Sequence, residues 1–385
     1  MDYFLSEGQK MIVELCKKIA EEKIKPVRQH YDEIEEFPWP IVEEMAKCDL
    51  FRIYIPEEYG GLGGGILDLC LAMEELSKVD GAIALCLAAT ALGTFPILLF
   101  GSEEQKRKYL PDIAAGKRLA AFALTEPQAG SDATAIKTIA RKENTTYRLN
   151  GTKCFITNAG EAEIYTVIAS TSPERGVRGL CVFIVEKGTP GFSFGKKEKK
   201  LGIHASSTRE LIFQDCFIPK ENLLGKEGQG FIIALKTLYV SRPGVAAQAV
   251  GIAQGALDEA LNYARQRIQF GQAIIHFQAI QHLLADLATQ VEAARALVYS
   301  TARMIDADPE KKVTKESAMS KLFASEVAMK VTTEAVQIFG GYGYMREYPV
   351  EKMMRDAKIT QIYEGTNQIQ RNEIALALIK ESASK

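Results

Sequence analysis

Among 49 acidic side chains, one sits in a setting better suited to chemistry than to solvation. In Ile362-Tyr363-Glu364-Gly365-Thr366-Asn367-Gln368-Ile369-Gln370, Glu364 lies between an aromatic residue and a glycine that permits a tight backbone turn. Thr366 and Gln368 then open a helix whose positive N-terminal end favours negative charge nearby. A carboxylate so placed serves as a general base once water is excluded. A second string, Ala123-Leu124-Thr125-Glu126-Pro127-Gln128-Ala129-Gly130-Ser131-Asp132, offers backbone N–H groups, hydroxyls and a glycine of close approach. That set suits a ring edge and a pyrophosphate; a structural turn would explain Gly130 but not the whole string. Phe155-Ile156-Thr157 ends a β-type run, so alternation puts Phe155 and Thr157 on one face. There an aromatic can cover a planar ring while the hydroxyl reaches its edge, although Phe155 taken alone reads first as core packing.

Three further sets are less self-explanatory. Gln337-Ile338-Phe339-Gly340-Gly341-Tyr342-Gly343-Tyr344 continues through Glu347, Lys352 and Asp356, and its glycine pair also reads as a helix stop. Arg267-x-Gln269-Phe270-Gly271 and Gln278 lie in or just before long helices, where a lone arginine is usually a surface ion pair. Arg242, in Ser241-Arg242-Pro243, reads equally as an ion pair at a Pro-Gly helix break. Other chemistries are excluded by what is missing. Gly61-Leu62-Gly63-Gly64-Gly65-Ile66 fails the last position of a dinucleotide fingerprint and sits between helical segments. The sequence contains no phosphate loop and no G-x-S-x-G elbow, and its four histidines have no zinc spacing.

The Ala123–Asp132, Gln337–Asp356 and Ile362–Gln370 segments together resemble, in order and spacing, the signature and catalytic segments of the acyl-CoA dehydrogenase family. The resemblance runs essentially end to end and is closest to the short- and medium-chain, butyryl-CoA-like members. It implies an FAD cofactor held by Phe122, Leu124, Thr125, Gly130, Ser131, Phe155, Thr157, Thr366 and Gln368, with Phe155 and Thr157 flanking the isoalloxazine. It implies further that Arg267, Phe270, Gln278, Gln337, Gly340 and Gly341 reach the FAD of a neighbouring subunit in a homotetramer built as a dimer of dimers. Ser131, Tyr239, Ser241, Arg242, Tyr363 and Gly365 become the expected acyl-CoA contacts. Glu364 would remove the α-proton while the β-hydride leaves for flavin N5, the thioester oxygen being held by the Glu364 N–H and a ribityl hydroxyl. In isovaleryl-CoA-type branches the base stands at the position of Ser241. Serine cannot act as base unaided, which leaves Glu364. The expected acceptor is an electron-transfer flavoprotein; an oxidase, an enoyl-CoA reductase and a decarboxylating glutaryl-type enzyme keep the same site and are the alternatives. A non-enzymatic, DNA-binding relative would be expected to show a basic extension or a lost base, and this sequence has neither. Chain length and branching of the acyl group depend on cavity depth near Thr90, Ala91, Tyr239 and Tyr363.

The elements that must carry these residues follow from periodicity. Residues 1–118 read as an α-helical unit, opening with a capping box from Ser6 to Gln9 and closing with another from Ser102 to Gln105. Residues 119–225 change to short β-runs: Tyr147-Arg148-Leu149, Lys153–Thr157, Ile164–Ala169, Leu180–Val185 and Leu211–Phe217, with Asn150-Gly151 as a hairpin turn. Residues 226–385 return to long helices. One places Ile280, Leu284, Leu287, Val291, Ala294 and Val298 on a single seam, another runs from Glu316 to Phe339, and a last from Thr366 to Ile379. The expectation is an α+β fold: N-terminal helices, a β-barrel-like middle and a C-terminal four-helix bundle. The uncharged stretch from Ala82 to Phe100 reads as a buried helix interrupted at Gly93-Thr94-Phe95-Pro96 rather than a membrane span, and Lys196–Lys200 as a solvated turn.

Composition agrees with an enzyme of small molecules. Lys+Arg 47 against Asp+Glu 49 leaves no field to gather nucleic acid or an acidic membrane. The seven scattered cysteines read as reduced core thiols. Met1-Asp2-Tyr3-Phe4 has the character of neither a secretion signal nor a transit peptide, so the expected location is cytoplasmic, or the mitochondrial matrix if a leader has been removed.

Overall fold

The computed structural model describes residues 3–309 and 311–383; Met1 and Asp2 of the N-terminal reading lie outside them. The helical first unit comprises α1 (Glu7–Ile19), α2 (Arg28–Ile34), α3 (Trp39–Lys47), α4 (Ile66–Ser77), α5 (Gly81–Phe100) and α6 (Glu103–Ala114). Both capping boxes form: the Ser6 and Ser102 hydroxyls accept from the Gln9 and Gln105 N–H groups, and each glutamine side chain returns a bond to the cap backbone. The apolar helix α5 is mostly buried inside the protein.

Contrary to expectation, α5 does not break at Gly93-Thr94-Phe95-Pro96. Gly93 is there because a Cβ would lie 2.4 Å from the Ala121 nitrogen, so the glycine lets the helix press against a strand backbone. Pro96 is carried inside the helix, and the Thr94 hydroxyl bonds back to Thr90 O at 2.6 Å.

The middle unit contributes β1 (Ala120–Ala123), β2 (Ile139–Lys142), β3 (Thr146–Thr157), β4 (Ile164–Ser170), β5 (Leu180–Glu186), β6 (Phe192–Lys197), β7 (Thr208–Pro219) and β8 (Leu223–Leu224). They pair along the path β6-β7-β3-β2-β4-β5-β8, with β1 parallel to β4. The expected Asn150-Gly151 hairpin is absent, because both flanking runs belong to one strand, β3, and both pair with β7. The register slips between Leu149 and Gly151. A Cβ on Gly151 would stand 2.5 Å from Thr138 Oγ1, so this glycine serves a bulge and a close approach rather than a turn. Lys196–Lys200 is likewise no simple solvated turn: Lys196 and Lys197 end β6, and Lys200 Nζ bonds Ser206 O at 2.8 Å.

After the sheet come α7 (Gly230–Gln266), a small hairpin of β9 (Ile268–Gln269) and β10 (Gln272–Ala273), α8 (Gln278–Ala307), α9 (Thr314–Phe339), α10 (Val350–Ile359) and α11 (Asn367–Ala383). The α8 seam is buried at Leu284, Leu287, Val291, Ala294 and Val298. Helix α7 runs unbroken through Arg242, Pro243 and Gly244, all buried, so the expected helix break does not occur. All seven cysteines are free, and all but Cys48 are buried.

A buried charge cluster ties the three units together. Asp80 caps α5 through Ala82 and Ile83 N–H groups at 2.8 and 2.9 Å and meets Lys352 Nζ at 3.0 Å. Lys352 also pairs with Asp356 at 2.5 Å, and Asp356 accepts from the Ile203 N–H at 2.6 Å. Burial alone would make each charge costly, and the mutual pairing offsets that cost. Lys352 and Asp356, picked out in sequence as part of a signature, thus hold α10 against α5 and the connection between β6 and β7.

Candidate active site

Helix α10 delivers the chain to Tyr363 and Glu364, and α11 carries it away. Between them Glu364 adopts φ 50° and Gly365 φ 92°. Two successive residues in the left-handed region make the reversal sharp, and for a glutamate that conformation is strained. Three helices hold the turn by its carbonyls. Glu364 O accepts from Arg242 Nε at 3.3 Å and Gln370 Nε2 at 3.2 Å. Gly365 O accepts from Gln370 Nε2 at 2.8 Å and Lys321 Nζ at 2.9 Å. Thr366 caps α11, its hydroxyl accepting from the Ile369 N–H at 3.3 Å, so the helix begins one residue later than expected.

The carboxylate is held as well. Ser241 Oγ donates to Glu364 Oε2 at 2.6 Å. Burial raises the Glu364 pKa to about 6, against the opposing pull of Ser241, Arg242 and Lys321. A carboxylate tuned toward neutrality is what proton transfer from a weak acid calls for. Arg242, 2% exposed, lies over the Tyr239 ring at 5.4 Å, and its Nη1 is buried without a hydrogen-bond partner. Arg242 is therefore no ion pair of the surface kind; it faces the site with one donor unused. The Tyr363 hydroxyl donates to Gln248 Oε1, and Gln248 Nε2 donates to Gly81 O at 2.8 Å. This strut fixes the aromatic neighbour of the base against the start of α5.

The second group of expected residues lies along β1 and β3. Phe155 has φ 56° and is 64% exposed, which rules out its core-packing reading. Ile156 beside it is buried and Thr157 half-buried, so Phe155 and Thr157 do share the open face. The Leu124–Ser131 turn is built on a pair of buried charges absent from the sequence expectation. Lys153 Nζ bonds Leu124 O at 3.0 Å and Glu126 Oε1 at 2.7 Å. Glu126 also accepts from the Lys137 and Thr138 N–H groups at 2.7 and 3.0 Å. Cys154 N–H donates to Thr125 O at 3.0 Å. Gly130 and Ser131 are exposed and Phe122 half-buried. Helix α5 joins this group to the base: Asn158, next to Thr157, donates to Thr90 Oγ1 at 3.1 Å, while the start of α5 holds the Gln248–Tyr363 strut. Thr90 and Ala91 are fully buried in that shared wall.

The third group stands apart. Arg267, Phe270, Gln278, Gln337, Gly340 and Gly341 gather at one end of the helical unit, where α7 and α9 finish and α8 begins. Ser241 and the last residue of α7, Gln266, are separated by about 38 Å at 1.5 Å per residue. Phe270 is 94% exposed, Arg267 covers the Tyr342 ring at 5.4 Å, and Gly340, with φ 61°, ends α9 as its stop signal. A Cβ on Gly130, Gly340 or Gly341 would meet nothing within 4 Å. Internal packing therefore does not account for these glycines, as it does for Gly93 and Gly151. An exposed aromatic with a strained backbone and glycines facing open space leave this end of the helical unit uncovered.

Family descriptions of acyl-CoA dehydrogenase N-terminal, middle and C-terminal domains match residues 6–117, 121–216 and 228–379. The chain belongs to the acyl-CoA dehydrogenase family. Members are FAD-dependent oxidoreductases. This acyl-CoA dehydrogenase is similar to butyryl-CoA dehydrogenase of Megasphaera elsdenii, with 49% identity, coverage of 98% of this chain and 100% of that one, and a TM-score of 0.95. It also resembles a chain from the structure of the electron-transferring flavoprotein of Acidaminococcus fermentans, solved toward a mechanism of flavin-based electron bifurcation, with 52% identity, coverage of 98% and 99%, and a TM-score of 0.96. The acryloyl-CoA reductase (NADH) of Anaerotignum propionicum is 50% identical over 382 residues, 99% of this chain and 96% of that protein.

Proposed function

We propose that this acyl-CoA dehydrogenase converts a short-chain saturated acyl-CoA to its 2-enoyl thioester, with Glu364 as the base and an electron-transfer flavoprotein as the acceptor of the electrons. The observation that carries the reading is the Ser241–Glu364 contact at 2.6 Å on a carboxylate whose pKa is raised to about 6. Glu364 Oε2 takes the α-proton, and the electron pair of that C–H bond becomes the α,β double bond as the β-hydride leaves. Phe122, Leu124, Thr125, Gly130, Ser131, Phe155, Thr157, Thr366 and Gln368 would hold FAD, which would supply the acceptor for that hydride. The Glu364 N–H meets the thioester oxygen, where negative charge grows as the proton departs. Tyr363, braced by Gln248, closes one wall against water. Tyr239, Ser241, Arg242 and Gly365 complete the acyl-CoA side, with the free Arg242 Nη1 available to the thioester's polar groups.

The distant cluster of Arg267, Phe270, Gln278, Gln337, Gly340 and Gly341 serves the FAD of a neighbouring subunit in a homotetramer. Its separation of about 38 Å from the base supports this, because one chain does not bring both ends of α7 to one flavin. We place the enzyme in the cytoplasm. A second reading runs the same site as a reductase, favoured by the similarity to the acryloyl-CoA reductase.

The deciding experiment is Glu364→Gln assayed with a panel of straight, branched and cyclic acyl-CoAs and a dye acceptor. The variant is expected to stay yellow and folded while kcat drops by at least about a hundredfold; near-normal turnover would overturn the assignment. Anaerobic assays with and without electron-transfer flavoprotein, followed by a peroxide test, separate dehydrogenase, oxidase and reductase.

A further inference from the structure

Helix α9 carries a polar stripe where a bundle seam should be apolar. Ser317, Lys321 and Ser325 recur at four-residue spacing and are all 0–1% exposed. Each reaches the site: Ser317 Oγ donates to Tyr239 O, Lys321 Nζ to Gly365 O at 2.9 Å and Asn367 Oδ1 at 3.0 Å, and Ser325 Oγ to the same Asn367 oxygen at 3.1 Å. Burying an ammonium is expensive unless a paired charge or a well-made polar cradle compensates. Both acceptors of Lys321 are neutral oxygens, and both belong to the turn that carries the base. A leucine or methionine would fill the seam at lower cost if packing were all that mattered.

We propose that Lys321 is a positioning residue for the base: it holds the left-handed Glu364–Gly365 turn through Gly365 O, and its positive charge favours the ionised form of Glu364. This rests on Glu364 being the base. The charged groups around the pair come from each packed element: Lys321 on α9, Arg242 on α7 and Glu364 on the turn, with Glu373 of α11 acting on Arg242. Burial lowers the pKa of both cationic clamps on this turn, Arg242 and Lys321, and brings that of Lys321 down to about 7. Its proton and the ionised carboxylate support each other within the working pH range.

The test uses FAD-loaded wild type, Lys321→Met and Lys321→Gln, with butyryl-CoA and a ferrocenium dye, reading kcat and KM separately from pH 5 to 9. Lys321→Met is expected to lower kcat about ten- to a hundredfold with KM changing far less, and to move the rising limb of kcat/KM up by about one unit. Lys321→Gln restores a donor to Gly365 O without the charge, so it should recover most of kcat and keep the shifted limb. A folded Met variant with wild-type kcat and an unmoved limb overturns the proposal, as does a Gln variant no better than Met with an unmoved limb. If the Met variant does not fold, the limb of the Gln variant decides alone: shifted supports, unshifted overturns. Failure of the base assignment itself shows separately, as retained turnover in Glu364→Gln with Lys321 intact.

Discussion

Replacing Ser241 with alanine removes one oxygen from a nearly sealed site and leaves the shape almost unchanged, so its effect should be electrostatic. The hydroxyl has a single proton and two acceptors within reach, Glu364 Oε2 at 2.6 Å and Leu238 O at 3.3 Å. With Glu364 ionised, the proton belongs to the carboxylate, and a hydrogen bond to a charged group contributes about 1.5–3 kcal/mol. With Glu364 protonated, the acid can donate to Ser241 Oγ while the hydroxyl turns to Leu238 O, which recovers part of that energy. The net preference for the ionised state therefore falls near the lower end, about 1.4 kcal/mol or one pKa unit. The Glu364 pKa should rise from about 6 to about 7 in Ser241→Ala. Because the base must be ionised to act, kcat/KM for butyryl-CoA should fall about tenfold below the limb and converge on wild type at high pH. Stopped-flow reduction of the bound flavin against pH measures this directly, and Glu364→Gln provides the profile without a limb. A rising limb that stays in place would refute the claim that this contact sets the base.

Two further outcomes concern stability. The Glu364 pKa is raised above its ordinary 4.5 to about 6, so folding favours the protonated acid: the stabilisation is present below pH 4.5 and lost as pH rises through 6. That gap corresponds to about 2 kcal/mol, so Glu364→Gln should match wild type in melting temperature near pH 4.5 and exceed it at pH 8; equal melting at both pH values would contradict the desolvated setting. Lys352→Met leaves Asp80 and Asp356 buried without their shared cation, and should destabilise the protein by about 3–5 kcal/mol in denaturant titration; a loss under 1 kcal/mol would mean the cluster does not join the units.

What the sequence disclosed divides along the range of the forces involved. Capping boxes and the α8 seam are set by residues three and four apart, and both were legible. Glu364 was legible because its flanking tyrosine and glycine and the helix after it are local. Asn150-Gly151 misled because a dipeptide that favours a tight turn also suits a bulge. The choice was made by β7, some 60 residues onward, which pairs with both halves of β3. Gly93-Thr94-Phe95-Pro96 misled for a similar reason: the glycine answers to the Ala121 backbone across a domain boundary. Lys321, Lys153 and Gln248 were missed altogether. Each is a polar residue on an element whose periodicity announces only burial, and its partner lies between 27 and 167 residues away. The available signal was a lysine at an inward position of a helix, which sequence alone does not separate from a helix that merely rolls.

Contacts between residues distant in sequence also explain how a strained base is kept. Glu364 pays twice for its position, once in a left-handed backbone and once in desolvation of its charge. Neither cost is offset locally, since Gly365 only permits the turn and does not hold it. The offset comes from donors on three different helices, Arg242 on α7, Lys321 on α9 and Gln370 on α11, so the turn survives only while those helices stay docked. The Lys352 cluster, sitting on the helix that leads into the turn, couples that docking to α5 and the connection between β6 and β7. The base is therefore set by the packing of the whole helical unit rather than by its own loop. Substitutions that loosen α9 or α10 far from Glu364 should change the pH dependence of turnover before they unfold the protein.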